Sequence, residues 1–159
     1  MGTETARIMS IYHDSVVDGE GLRTVIFFAG CPHFCKGCHN PKSWNIRNGK
    51  EMQIEEVVKE ALNPLTDITL SGGDPFFQAK AAAKIAKQLK EEHGKNIWAY
   101  TGWTIEQLLT IKDENQLELL RYVDVLVDGP FILAERDLTL SFRGSRNQRI
   151  IHMDEHRPI

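Results

Sequence analysis

The three cysteines of this chain lie within eight residues, at Cys31, Cys35 and Cys38, in the spacing C-x3-C-x2-C. Thiolates that are this close in sequence can wrap around one compact metal centre. A structural zinc site is closed by four ligands, so zinc would need a histidine as well, with His33 and His39 as the nearest candidates. A 4Fe–4S cluster held by three cysteines instead leaves one iron open to a substrate. The spacing favours this cluster over a structural zinc site.

Composition and charge argue against several classes of protein. The chain has 159 residues, of which 42% are hydrophobic and 26% charged, which predicts one globular domain over residues 1–159. An odd number of thiols and the lack of a recognisable export signal lead us to expect a reducing compartment, the cytoplasm. The apolar runs are too short to span a bilayer, and a net charge of −3 argues against nucleic-acid binding through bulk charge.

Alternating strand and helix patterns must position the cysteine loop. An apolar run that ends just before the cysteines predicts a strand buried on both faces. The predicted strands cover residues 24–29, 67–70, 96–100, 123–127 and 148–153, with 7–12 as a short edge strand. The predicted helices cover residues 51–62, 78–93 and 104–120, the last with a break near 112–114. This alternation is typical of right-handed parallel crossovers. About five strands predict an α/β fold with an open, partial parallel β/α barrel rather than a closed one.

Glycine and polar residues follow the carboxyl ends of four of these predicted strands. The segments are Gly30-Cys31, Ser71 to Asp74, Thr101-Gly102 and Asp128-Gly129. Because the carboxyl ends of parallel strands meet at one edge of a sheet, the four segments should converge where active sites of α/β folds lie.

The turn Ser71-Gly72-Gly73-Asp74-Pro75 has two possible roles. Asp is a favoured N-cap, Pro is favoured at the first helical position, and paired glycines make a tight turn, so capping alone would explain it. Beside a metal loop, however, glycines also let the backbone approach a ligand closely. An exposed carbonyl group or the Asp74 carboxylate could then accept a hydrogen bond from an ammonium group.

The cysteine motif, placed directly after a buried strand, resembles the signature of radical S-adenosylmethionine enzymes. The segment GCPHFCKGCHNPKSW at residues 30–44 resembles, more narrowly, the glycyl-radical activating enzymes. Other segments of the chain also resemble those enzymes and occur in the same order along the sequence. They lie at residues 18–31, 70–75, 98–103, 126–131 and 143–149. Together they resemble the family that activates anaerobic (class III) ribonucleoside-triphosphate reductase, whereas the pyruvate formate-lyase activating enzymes are longer.

The resemblance implies an oxidoreductase with two cofactors. Cys31, Cys35 and Cys38 would hold three irons of a 4Fe–4S cluster, and S-adenosylmethionine would bind the fourth. Reductive cleavage of S-adenosylmethionine would give a 5′-deoxyadenosyl radical, which takes a hydrogen atom from a glycine of the reductase large subunit. The electron would come from a flavodoxin-type protein.

The same resemblance implies which residues contact the cofactor. Many radical S-adenosylmethionine enzymes hold the adenine with an aromatic residue just before the third cysteine, but here that residue is Gly37. The adenine contact must then come from the backbone near residues 37–39 or from elsewhere. The Gly-Gly-Asp-Pro turn would grip the amino group of the methionine moiety, with Asp74 where many relatives have Glu, and Asp128 would help to bind a cation or the ribose. The expected cofactor-binding residues are Gly37, Cys38, His39, Ser71, Gly72, Gly73, Asp74, Thr101 and Asp128.

Other interpretations stay open at the level of sequence. Residues 136–149 contain four arginines and one acid, and are either a solvated face or a docking surface for an acidic partner. The target could be another glycyl-radical enzyme, such as pyruvate formate-lyase, or a small molecule. A different class altogether is a non-catalytic zinc-binding adaptor with a Cys3His site.

Overall fold

The computed structural model describes residues 4–33, 35 and 44–154, which form a mixed α/β fold. Seven strands make one sheet in the order β3-β1-β2-β4-β5-β6-β7. The strands are β1 Thr5–Ser15, β2 Arg23–Phe28, β3 Lys50–Gln53, β4 Asp67–Gly72, β5 Ile97–Tyr100, β6 Val125–Asp128 and β7 Arg149–His152. The helices are α1 Ile54–Ala61, α2 Ala79–Glu91, α3 Ile105–Ile111 and α4 Glu114–Tyr122, with short 3₁₀ helices at Ile46–Asn48, Pro75–Gln78 and Leu133–Glu135.

The centre of the sheet is parallel and its flanks are antiparallel. β2, β4, β5 and β6 run parallel to one another, whereas β1 and β3 on one flank and β7 on the other are antiparallel to their neighbours. The described residues form no closed barrel, and their sheet has seven strands rather than about five. None of the helices in the described part of the chain has the length and apolar character that crossing a membrane requires.

The prediction of a short edge strand at residues 7–12 is wrong. These residues belong to the longer β1, which lies between β2 and β3 inside the sheet. The edge is β3, where the sequence predicts the first turn of a helix. Met52 in β3 pairs with Ala6 and is buried, so a cross-strand contact determines the conformation there. The helix starts only at Ile54, after Gln53 at its N-cap.

The other helix predictions are confirmed to within a few residues. The helix predicted at residues 78–93 is α2, preceded by the 3₁₀ turn that begins at Pro75. The break predicted near 112–114 separates α3 from α4. Lys112 adopts the left-handed conformation there, with φ of 56°, which ends a helix.

The two faces of the sheet are covered differently. Since side chains alternate along a strand, Ile26 and Leu70 point to one face, where they form the main core with the helices. The opposite face carries Trp98 and Val127, which form a smaller cluster packed by Phe142 from the segment after β6. A loop-covered face of this kind leaves room for a pocket.

Arg23 is buried on this loop-covered face, with 2% of its surface exposed. Its Nε donates to Thr69 Oγ1 at 2.8 Å, and its Nη1 donates to the Glu20 carbonyl oxygen at 2.7 Å. Its Nη2 donates to the carbonyl oxygens of Ile68 and Asn96 at 2.8 and 2.9 Å. Burial lowers the pKa of the Arg23 guanidinium, but each of its nitrogens has an acceptor, so the charge is retained at low cost.

Through Thr69, Arg23 also fixes the loop between β1 and β2. The Thr69 hydroxyl donates to the Asp18 carbonyl oxygen at 2.6 Å, and the Arg23 guanidinium lies over the Trp98 ring at 5.6 Å from its centroid. The loop is thereby held against the sheet.

Replacing Arg23 by Met should lower the free energy of unfolding by about 3 kcal/mol, because several buried acceptors lose their donor. Urea unfolding followed by circular dichroism measures the effect.

The matched control is Arg121→Met, since Arg121 is exposed and lies 3.9 Å from Glu118. Its effect should stay below about 0.5 kcal/mol. Equal effects of the two substitutions would contradict a structural role for Arg23.

Candidate functional site

A pocket of about 320 Å³ lies at the carboxyl ends of the parallel strands. Its lining includes residues from each of the four segments predicted to converge, namely Cys31, Ser71, Gly72, Gly73, Thr101, Gly102 and Gly129, and it also includes Cys35. The expected convergence on one rim is therefore present. A larger groove of about 750 Å³ lies beyond the Pro75–Gln78 turn, and its described lining contains no cysteine.

The cysteine loop leaves β2 through Gly30. Gly30 has a φ of +91°, and a Cβ there would lie 2.7 Å from Phe77 Cδ2, so only glycine fits without strain. Cys31 is then buried and Cys35 half-buried, and both line the pocket. Gly37, Cys38 and His39 lie outside the described residues.

The described part of the cysteine loop fits an iron–sulfur cluster. Two thiols line one pocket, and thiolate is the ligand that iron–sulfur clusters take. His33, a candidate fourth ligand for zinc, has its Nε2 only 2.7 Å from Asp74 Oδ2. No group of three His, Cys, Asp or Glu side chains suited to a metal ion occurs among the described residues, and Cys38 and His39 lie outside them.

The Gly-Gly-Asp-Pro turn is bonded to the strand that carries the cysteine loop. Gly73 N donates to the Phe28 carbonyl oxygen at 2.7 Å, and Asp74 N donates to the Gly30 carbonyl oxygen at 2.9 Å. Gly72 has a φ of +102°, and a Cβ there would overlap the backbone of Phe28. The turn can approach β2 this closely only because Gly72 has no side chain.

Asp74 lies behind the turn, with 0% of its surface exposed. Its Oδ1 accepts from Phe76 N at 2.9 Å, so it caps the 3₁₀ helix as the sequence predicts. Its Oδ2 accepts from His33 Nε2 at 2.7 Å and from Thr101 Oγ1 and Gly102 N at 2.9 Å each. A direct contact with a cofactor would require one of these donors to leave, and that contact stays a prediction.

Asp128 is also fully buried, in an ion pair beside the pocket wall. Its Oδ1 accepts from Arg149 Nε at 3.0 Å, and its Oδ2 accepts from Arg149 Nη2 at 2.5 Å and from Ile105 N at 2.8 Å. Hydrogen bonds from Arg149 to Asp128 and then to Glu106 raise the pKa of the guanidinium. The positive charge of Arg149 is thus balanced by these two carboxylates. The pocket itself is lined by Gly129 and not by Asp128. The role of Asp128 towards a cation or ribose stays a prediction.

Several lining residues lie in the similar segments at 18–31, 126–131 and 143–149 but are not among the expected cofactor-binding residues: Asp18, Phe27, Phe131, Gly144 and Gln148. For Phe27 a signal exists, because the two-residue period of a strand places it on the face opposite Phe28 and the helices. Tyr100 lines the same pocket, and burial raises the pKa of its phenol, which keeps that group neutral. Asp18 and Gln148 reach the pocket through tertiary contacts that no local pattern encodes.

Comparison with known proteins agrees with this geometry. Residues 17–151 match the family model described as 4Fe-4S single cluster domain. Three curated relatives are each named anaerobic ribonucleoside-triphosphate reductase-activating protein. The one from Haemophilus influenzae is 39% identical over 153 residues, which cover 91% of this chain and 96% of the relative. The one from Vibrio cholerae is 39% identical over 150 residues, covering 89% and 94%. The one from Enterobacteria phage T4 is 37% identical over 150 residues, covering 88% and 90%.

The close approach of the turn to β2 gives a testable prediction. Gly72→Ala should lower the free energy of unfolding by about 3 kcal/mol, because it combines an unfavourable φ with a collision against the Phe28 backbone. Thermal unfolding followed by circular dichroism measures the loss.

Gly94→Ala is the matched control. Gly94 also has a positive φ, of +65°, but a Cβ at this position would have no other atom within 4 Å, so only the backbone cost of about 1 kcal/mol applies. If the two variants lose equal stability, the collision at Gly72 is absent.

Proposed function

Because this chain belongs to the family of anaerobic ribonucleoside-triphosphate reductase-activating proteins, we propose that it binds S-adenosylmethionine beside its 4Fe–4S cluster to activate that reductase. The activation is the formation of a glycyl radical on the reductase large subunit. The observation that carries the proposal is the shared pocket, in which Cys31 and Cys35 lie with the Gly72-Gly73 turn.

The metal ligands in this proposal are Cys31, Cys35 and Cys38. Three thiolates would hold three irons of a 4Fe–4S cluster and would leave the fourth without a protein ligand, available to S-adenosylmethionine. A cluster held there would supply an electron for reductive cleavage of S-adenosylmethionine, and the radical chemistry that this starts would act on a glycine of the reductase. The protein's part is to hold, orient and enclose these groups.

The turn after β4 is the proposed binding site for the methionine moiety. Ser71, Gly72 and Gly73 line the pocket, and backbone carbonyl groups there can accept hydrogen bonds from an ammonium group. Asp74 fixes the turn from behind through its four hydrogen bonds. Thr101 forms the neighbouring wall, and residues 37–39 are the proposed contacts of the adenine.

Exclusion of water is the second requirement, because the radical would react with solvent components. Phe27, Tyr100 and Phe131 give the pocket an apolar wall. We propose that a glycine-bearing loop of the reductase closes the remaining opening. Val16 and Val17, next to the lining residue Asp18, are 67% and 70% exposed, and they offer an apolar contact for that loop.

The finer parts of the proposal follow from the same chemistry. The four parallel strands with a pocket at their carboxyl ends support a partial β/α barrel of the radical S-adenosylmethionine type. The electron donor is a flavodoxin-type protein, and the compartment is the reducing cytoplasm. The shared name of the relatives favours the anaerobic reductase over pyruvate formate-lyase as the target, and the match to a 4Fe-4S family model argues against a Cys3His zinc adaptor.

Cys35→Ala should abolish formation of 5′-deoxyadenosine, because two thiolates cannot hold the cluster in its site-differentiated form. Chromatography of anaerobic reaction mixtures with a chemical reductant detects the product. Ser10→Ala is the matched control, since it also removes one heavy atom but lies at an exposed position of β1. Unchanged turnover in the Cys35 variant would contradict the assignment.

Electron paramagnetic resonance of the iron-reconstituted, reduced protein tests the cofactor directly. We expect a 4Fe–4S signal that changes shape when S-adenosylmethionine is added. Stoichiometric zinc with no cluster signal would favour a structural staple instead. A cluster signal that ignores S-adenosylmethionine would mean simple electron transfer, and it would contradict the role proposed for the Gly72-Gly73 turn.

A further inference from the structure

His33 lies in the cysteine loop, and the proposed function gives it no role towards the cluster or the cofactor. It lies between Cys31 and Cys35, and its ring lines the pocket beside both thiols. Its Nε2 lies 2.7 Å from Asp74 Oδ2. The ring packs edge-on against Trp103, with 4.5 Å between centroids and an angle of 79°. The side chain is therefore fixed by two contacts of different kinds.

The acceptor of the His33 hydrogen bond is shared with another strand end. Asp74 Oδ2 also accepts from Thr101 Oγ1 and from Gly102 N. One buried oxygen atom thus joins the cysteine loop, the turn after β4 and the loop after β5. Opening this junction would leave buried polar groups without a partner, which is costly, so the junction resists opening.

A backbone hydrogen bond holds the beginning of the cysteine loop against the turn. This bond, from Asp74 N to the Gly30 carbonyl oxygen, comes before Cys31. His33 adds a side-chain attachment between Cys31 and Cys35. His33 therefore attaches the cysteine loop to the turn at a second point, which lies after Cys31 in the sequence.

The loop after β5 is shaped to accept the His33 ring. A Cβ on Gly102 would lie 2.6 Å from both Cγ and Nε2 of His33. The φ of Gly102 lies outside the left-handed region, so glycine is needed there for space and not for backbone conformation. The three nearest atoms to that Cβ all belong to His33.

We propose that His33 is a positioning residue, which holds the Cys31–Cys35 segment against the Gly72-Gly73 turn by donating a hydrogen bond to Asp74. The metal-binding loop and the turn that binds the methionine moiety then keep a fixed separation. This inference rests on the proposed function, since it concerns how one pocket holds a cluster and S-adenosylmethionine together.

The first test compares His33→Ala with wild-type protein after anaerobic iron reconstitution. Iron content should be unchanged, because the three cysteines remain. Binding of S-adenosylmethionine, measured by equilibrium dialysis, should weaken roughly tenfold. The change that S-adenosylmethionine causes in the electron paramagnetic resonance signal should shrink at a fixed cofactor concentration. In turnover, KM should rise more than kcat falls.

Two further variants of histidine complete this test. His33→Gln places an amide nitrogen near the position of Nε2, so it should restore most of the binding. His13→Ala is the matched control, because His13 also makes one side-chain hydrogen bond, to Thr24 Oγ1 at 2.8 Å, but does not line the pocket. It should bind S-adenosylmethionine as the wild type does.

A second test displaces the ring without changing it. Gly102→Ala should push His33 away from Asp74 and weaken binding by a similar factor. In the double variant with His33→Ala the added methyl group no longer meets the ring, so the two effects should not add. Thermal unfolding of the metal-free proteins identifies any variant that fails to fold, and Gly102→Ala then carries the test, since it keeps both His33 and Asp74.

Four outcomes would overturn the inference while leaving the proposed function intact. They are wild-type affinity in both His33→Ala and Gly102→Ala, tighter binding in His33→Ala, loss of iron in His33→Ala, and full additivity in the double variant. Tighter binding would mean that the ring occupies the cofactor's place, and loss of iron would mean that His33 serves cluster retention. If wild-type protein itself ignores S-adenosylmethionine, the proposed function fails first.

Discussion

A carboxylate withdrawn from water must find donors or give up its charge, and Asp74 finds four of them in three segments of chain. The turn that carries it is bonded to the end of β2 as well. These contacts depend on one another, because a shift of the cysteine loop or of the loop after β5 would leave a buried oxygen short of a donor. An unsatisfied buried polar group costs about 1–3 kcal/mol of folding free energy, and a charged group costs more. The segments around Asp74 are therefore joined as one unit, although His33 and Asp74 lie 41 residues apart in the sequence.

That unit rests on a sheet whose two faces have different tasks. The helix-covered face buries Ile26, Leu70 and their neighbours in a continuous core, which fixes where each parallel strand ends. The opposite face is covered by loops. There the Arg23 side chain donates hydrogen bonds to carbonyl groups of both strand and loop residues, which holds the loops against the sheet. Loops that are anchored by a buried guanidinium can border a cavity without collapsing into it. The pocket thus needs both the apolar core behind the sheet and the polar anchor in front of it.

The sequence predicts the parts of this arrangement that local patterns encode. The apolar run at residues 24–29, the amphipathic α2 and the cap of the Pro75–Gln78 turn by Asp74 all follow from spacing and residue type, and the structure contains each of them. The position of β3 cannot be predicted from local patterns. Met52 is the single buried residue of this strand, and Ala6, with which Met52 pairs, is remote in sequence. For the same reason the capping rule finds one donor to Asp74, Phe76 N, and misses the three from His33, Thr101 and Gly102. Likewise, no spacing rule pairs Arg149 with Asp128.

The charges around the pocket bear on the kind of ligand that it admits. Asp18 is the only carboxylate among the described lining residues, and they include no lysine or arginine. Arg149, an arginine near the pocket, pairs with Asp128 and Glu106. A sulfonium ligand carries a positive charge that a lysine in the wall would repel, and a negative wall residue attracts it in a partly dehydrated site. In the proposed function, backbone atoms would recognise its ammonium and carboxylate groups, and the glycines at positions 72, 73 and 102 line the pocket where the main chain could do so. The lining therefore suits a positively charged ligand that also carries an ammonium and a carboxylate group, as the proposed cofactor does.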